Sequence, residues 1–219
     1  MSVGEQGLRD LVARLVELEV APIVQAGDPV LRSGAMPFDG QLDDAELAAL
    51  LALMTRTMHA APGVGLAAPQ IGVPLALAVI EDPGPVDEET AIARERVAYP
   101  HRVLVNPRYE AVGEERVAFY EGCLSVEGWA GVVARPRTVH LTGLDERGNV
   151  LDEEVSGWPA RIVQHETDHL LGVLYLDRVE TRSLATGAAA ARWASPPHPH
   201  AAARALGFVM PSGDAQGEP

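Results

Sequence analysis

Lysine is absent from this chain: all 17 basic residues are arginine, set against 31 acidic residues for a formal charge of −14. Nucleic acid and anionic membranes are therefore poor candidates for the main partner, because binding either requires clustered cations. A neutral or modestly charged ligand fits better. The all-arginine set, together with abundant alanine, matches the codon usage of a GC-rich genome. Cysteine occurs once, at Cys123, so no intrachain disulfide can form and a reducing, cytoplasmic compartment is expected. No window reaches the roughly 20 apolar residues of a membrane span. Met1 to Asp10 carries Glu5 and Asp10 without an apolar stretch, unlike a signal or transit peptide. Internal repeats are missing as well.

What is present suffices for one domain: 219 residues at 47% hydrophobic content can bury a sizeable core. A single catalytic domain over 1–219 is expected, with its core at about 22–182. Leu8, Leu11, Val12, Leu15, Val16 and Leu18 recur near helical spacing and predict a helix over 5–19. A second helix is predicted over 43–59, capped by Asp43 or Asp44 and stopped before Pro62-Gly63. Strands are predicted at 75–80, 102–106, 115–119, 138–144 and 150–155, the last two joined as a hairpin through Asp145 to Asn149. The charged stretch 87–96 reads as a surface insertion. A long helix over 158–171 follows, and the tail from 195 to 219, rich in Pro, Ala and Gly, is expected to be partly disordered, above all beyond Phe208.

The strongest local signal lies in that last helix, where His165-Glu166-Thr167-Asp168-His169 forms an H-E-x-x-H pattern. Spacing of four puts both imidazoles on one face, one turn apart, able to bind one metal, with Glu166 beside the first as acid/base. The competing reading is a solvated helix that happens to carry two histidines and two acids. A third ligand is needed for a catalytic site. A metzincin would have His at position 175, which is Tyr here, and Asp177 or Glu180 lies too close for a gluzincin. Cys123, within Glu121-Gly122-Cys123-Leu124-Ser125 and directly after a predicted strand, offers a thiolate suited to Zn²⁺ or Fe²⁺. Alone it would be a small buried apolar residue. Gly63 to Gln70 lets a ligand approach the backbone and ends in a carboxamide able to donate to an oxyanion, although such a turn is usually only a connector. It lacks the Gly-Lys-Ser/Thr ending of a phosphate loop. His198-Pro199-His200 reads as tail, and Trp129, Trp158 and Trp193 as packing residues. Asp168, pointing around the helix from the histidines, is expected to make a supporting contact.

Three motifs in this order, G-x-G-x-A-A-x-Q at Gly63 to Gln70, E-G-C-L-S at Glu121 to Ser125 and Q-H-E-x-D-H at Gln164 to His169, resemble those of the peptide deformylases. The likeness runs from about Val24 to Val179 and includes Gly27-Asp28-Pro29-Val30-Leu31-Arg32. It implies an α+β fold in which antiparallel strands wrap a central metal-bearing helix. It also implies a hydrolase that removes the formyl group from the N-terminal formylmethionine of new proteins, releasing formate, with water activated by a metal. By the same resemblance Cys123, His165 and His169 hold one divalent ion, Fe²⁺ first, with Zn²⁺, Ni²⁺ or Co²⁺ in a purified sample. Glu166 is then general base and acid, and Gln70 with the Leu124 N–H stabilises the oxyanion. Val64, Leu124, Arg161 and His165 border the methionine pocket, backbone near Gly65 pairs with the peptide as an added strand, and Glu121 with Arg135 forms a supporting ion pair.

The partners implied are N-formylmethionyl peptides and nascent chains, with no nucleic acid or membrane, and a monomer is expected. Where the family has proline after Ser125-Val126 this chain has Glu127, which puts the pocket rim in question. From Ser183 onward only Arg192 and Arg204 are cationic, so ribosome docking through a basic tail is not expected. Two rivals stand beside the deformylase reading. Formate release without internal peptide cleavage separates it from a zinc endopeptidase. The intact Glu166 and Gln70 separate it from a non-catalytic binding protein.

Overall fold

The computed structural model describes residues 4–85 and 87–210. Helix α1 (Glu5–Val16) buries Leu8 and Val12, one turn apart. It stops short of the expected residue 19 because Leu18 and Val20 are 41% and 42% exposed, leaving no inward face to hold a further turn. Helix α2 (Asp44–Ala60) starts at a capping box: Asp43 accepts from the N–H groups of Ala45 and Glu46, and Glu46 accepts from Asp43 N–H at 2.8 Å. Its buried Leu47, Leu50, Leu51, Met54 and Met58 pack α1 on one side and the first strands on the other.

Strands β1 (Gly65–Ala67) and β2 (Leu77–Asp82) are followed by helix α3 (Glu88–Arg94), which buries none of its residues and lies in the expected surface insertion. Then come β3 (Tyr99–Ala111), β4 (Arg116–Gly122), β5 (Trp129–Pro136), β6 (Thr138–Leu144) and β7 (Val150–Ser156). Five strands form an antiparallel sheet in the order β1-β2-β3-β6-β7, which leaves β1 on an edge. The Asp145 carboxylate closes the β6–β7 hairpin by accepting from the N–H groups of Arg147 and Asn149, both at 2.8 Å.

Helix α4 (Gly157–Leu170) is buried along most of its length and packs against β1, β2, β3, β5, β6 and β7. Gly172, at φ +75°, ends it: its N–H bonds to the His169 carbonyl while Val173 N–H returns to Asp168. Strand β8 (Ala185–Thr186) completes a second sheet in the order β4-β5-β8, and α5 (Gly187–Ala194) and α6 (His200–Leu206) follow. The molecule is an α+β fold with antiparallel strands around α4.

Besides the shortened α1, three elements depart from the sequence expectations. Strand β5 was not predicted, because it buries Val132 and Val133 in succession and carries a buried Arg135, so it shows no period of two. Strand β1 was read as part of a glycine-rich turn. Within the tail expected to be partly disordered, α6 is ordered by packing Ala202, Ala203 and the following Phe208 with Ala118, Tyr120 and Val132. The remaining tail expectation falls largely on 211–219, outside the described residues.

Candidate metal centre

On α4, His165 and His169 place their rings 5.1 Å apart, centroid to centroid. Strand β4 ends at Gly122 and delivers Cys123 to the same spot, with Sγ 3.2 Å from His169 Nε2. One ligand atom from each of the three residues lies within 4.8 Å of the others. His165 Nδ1 meets Glu121 Oε2 at 3.1 Å, which turns its other nitrogen toward the group. A thiolate and two imidazoles in this spacing suit one Zn²⁺ or Fe²⁺ ion, so the donor set fits the metal that the sequence implies.

Charges buried behind the ligands hold them in place. Glu121 takes two bonds from Arg135, at 2.6 and 2.9 Å, and a third from Arg161. Arg135 also reaches Asp168 at 2.8 Å; Asp168 accepts from Arg178 at 2.9 and 3.0 Å and from the Tyr109 hydroxyl at 2.8 Å. Against the cost of burial, Arg135, the His165 contact and Arg161 hold the Glu121 carboxyl well below its ordinary range. Burial opposes charge on His165, yet its hydrogen bonds to Cys123 and Glu121 raise its pKa. Burial and the His165 charge push His169 down, toward the neutral form that binds metal.

Glu166 is 4% exposed, and Oε2 has no hydrogen-bond partner among the described residues. Burial pushes its carboxyl up to about 7, opposed by the His165 and Arg135 charges. A cation on the neighbouring ligands acts in the same direction as those charges. Gln70 sits in the turn Ala68–Ile71, where its Oε1 accepts from Ala67 N–H at 2.8 Å. That bond directs Nε2 toward Cys123 Sγ at 3.6 Å and Ser125 Oγ at 3.3 Å.

Gln70, Cys123, His165 and Glu166 all line a cavity of about 420 Å³. Its apolar walls come from Val64, Leu124, Val126, Trp129, Trp158 and Ile162, and Gly65 lies at its edge strand. Arg161 lines it too, but its guanidinium is committed to Glu121 and to the Val133 and Val117 carbonyls, at 3.0 and 2.6 Å. Trp129 and Trp158, read from the sequence as packing residues, belong to this cavity. Position within α4 offers the one signal for Trp158, which lies on the same helix as His165 and His169.

Residues 20–184 match the model of the family described as polypeptide deformylase. The chain belongs to this family. Peptide deformylase 3 of Streptomyces avermitilis is 62% identical over 208 residues, covering 93% of this chain and 92% of the relative. The mitochondrial peptide deformylase of Homo sapiens is 39% identical over 181 residues, covering 80% and 74%. A Met-Ala-Ser-bound class I type b peptide deformylase from Acinetobacter baumannii shares the fold at TM-score 0.64 and 34% identity, over 73% of this chain and 99% of that one. The cavity described above is thus the candidate active site of a deformylase. Among the described residues no helix is long and apolar enough to cross a membrane.

Proposed function

We propose that this deformylase removes the N-formyl group from formylmethionyl peptides and nascent chains at the Cys123, His165 and His169 centre, releasing formate. The observation that supports the residue roles is that Cys123, His165, Glu166 and the Gln70 carboxamide line one cavity, with the ligand atom of the buried His169 within 4.8 Å of those of Cys123 and His165. Held by these three ligands, a divalent ion would supply Lewis acidity and lower the pKa of water to about 7. Fe²⁺ is the ion proposed for the cell, with Zn²⁺, Ni²⁺ or Co²⁺ able to replace it in a purified sample.

Glu166 Oε2 takes the water proton and returns it to the leaving amine, a role served by its burial and raised pKa. Gln70 Nε2 and the Leu124 N–H donate to the oxygen that gains charge as the formyl carbon is attacked. The methionine side chain enters the apolar part of the cavity between Val64, Leu124 and Trp158. The free edge of β1 at Gly65 receives the peptide backbone as an additional strand. Glu121 and Arg135 keep His165 oriented.

The whole chain acts as one catalytic domain and as a monomer in the cytoplasm. Neither nucleic acid nor membrane is needed as a partner, in keeping with the −14 charge. Ribosome contact through a basic tail is not part of this reading. Anaerobic purification followed by elemental analysis and a formate-release assay on the same sample tests it. One metal per chain and formate from formyl-Met peptides are expected, and cleavage of internal peptide bonds instead would overturn it.

A further inference from the structure

Three consecutive residues anchor the charged insertion between β2 and β3. Arg96 makes two 2.8 Å bonds to the buried Asp82. Glu95 pairs with Arg137 at 2.9 Å, and its carbonyl accepts the Trp158 N–H at 3.3 Å. Arg94, at the end of α3, reaches the opposite way. Its Nη2 donates to the carbonyls of Ala194 and Pro196, both at 2.8 Å, and its Nε to that of Pro197 at 3.3 Å. One guanidinium thereby fastens the chain just after α5.

The same guanidinium centre lies 5.2 Å from the Trp158 ring and 5.8 Å from the Phe119 ring. Arg96 and Arg161 approach that indole at 5.7 and 5.8 Å, and Phe119 meets it edge-on at 6.0 Å. The indole Nε1–H meets no acceptor among the described residues, so the surrounding side chains set the ring's position. Trp158 and Arg161 line the 420 Å³ cavity and also a smaller one, of about 60 Å³, bordered by Arg94, Phe119 and Arg137. They form a wall shared by the two.

We propose that Arg94 is a positioning residue for side-chain selection: by fastening residues 194–197 beside Phe119 and Trp158, it fixes the wall that sets the depth of the substrate pocket. The inference rests on the reading of the larger cavity as the seat of the methionine side chain. No bond to the ligands passes through Arg94, so its influence should appear in discrimination and KM rather than in the chemical step.

The test uses the full-length, metal-loaded enzyme as wild type, Arg94→Met and Arg94→Lys, assayed on formyl-Met, formyl-Ala and formyl-Phe tripeptides. Methionine keeps the packed stem of Arg94 and removes its hydrogen bonds. In Arg94→Met the preference for formyl-Met over formyl-Phe and formyl-Ala, as kcat/KM, is expected to fall about tenfold, because a misfit of one methylene carries that much selectivity. The change should lie in KM, with metal content retained, and Arg94→Lys should fall between Arg94→Met and wild type. Preferences within about twofold of wild type, or a uniform loss on all three substrates accompanied by lost metal, overturn the proposal. A wild-type enzyme with no preference for formyl-Met overturns the pocket reading and this inference together. Should Arg94→Met not fold, Phe119→Leu loosens the same wall from β4 and must show the same loss of preference.

Discussion

A Cβ added at Gly65 would lie 2.3 Å from Glu166 Oε1 and 2.6 Å from its Cδ. Only glycine lets the edge strand pass this close to the carboxylate, so Gly65→Ala is expected to displace Glu166 and lower kcat by about 10²-fold with metal content unchanged. Elemental analysis and steady-state kinetics on one preparation check both halves. Glu166→Ala should likewise keep its metal, with kcat reduced by about 10²–10⁴-fold; a fully active variant would remove the proposed acid/base role. Cys123→Ala, by contrast, should lose metal as well as activity, because it takes away one of three ligands. The two histidines and Glu166 were legible in the chain because their chemistry depends on residue type and on a spacing of four within a single helix, and Cys123, off that helix, through its thiol and the E-G-C-L-S motif. Trp158 and Ile162 were not, since an aromatic or aliphatic residue on a helix face looks the same whether it packs a core or walls a cavity.

At the level of elements, β4, β5 and α4 are joined through Arg135, which is 1% exposed and bonded to Glu121 and Asp168. Arg135→Met should leave both carboxylates short of a partner inside the fold, costing about 3–5 kcal/mol. Urea unfolding monitored by circular dichroism measures it, and a loss under 1 kcal/mol would contradict the ascribed role. A milder effect belongs to Asp43, whose removal by Asp43→Ala opens the capping box of α2 and should cost about 1 kcal/mol with activity intact. Helix α2 and the β6–β7 hairpin could be read from local signals: a cap, a period and a turn residue each act within a few positions. Strand β5 had none of these. Its ladder with β4, from Arg116↔Pro136 to Gly122↔Ala130, is satisfied by a partner strand rather than by its own pattern.

For the whole molecule, the ligands come from α4 and from the residue just after β4, so a bound ion would tie two parts of the chain that lie 42 residues apart between Cys123 and His165. Removing it with a chelator should lower the Tm and abolish formate release, and adding back Fe²⁺ anaerobically should restore both. At an ion concentration 100 times Kd the stabilisation amounts to about 2.7 kcal/mol. A Tm unaffected by chelation, with the metal shown to be gone, would mean that the three ligands do not bind it in the folded state. The chain alone determined the chemistry on offer here: one thiol, an H-E-x-x-H helix, a carboxamide after a glycine-rich turn, and a charge that disfavours polyanions. The tertiary structure decided which of these meet. It sets Cys123 Sγ 3.2 Å from His169, brings Glu166 against Gly65, and ties Arg94 to the carbonyls that follow α5. Such meetings depend on sheet order and on packing between elements distant in sequence, neither of which a local period or motif can encode.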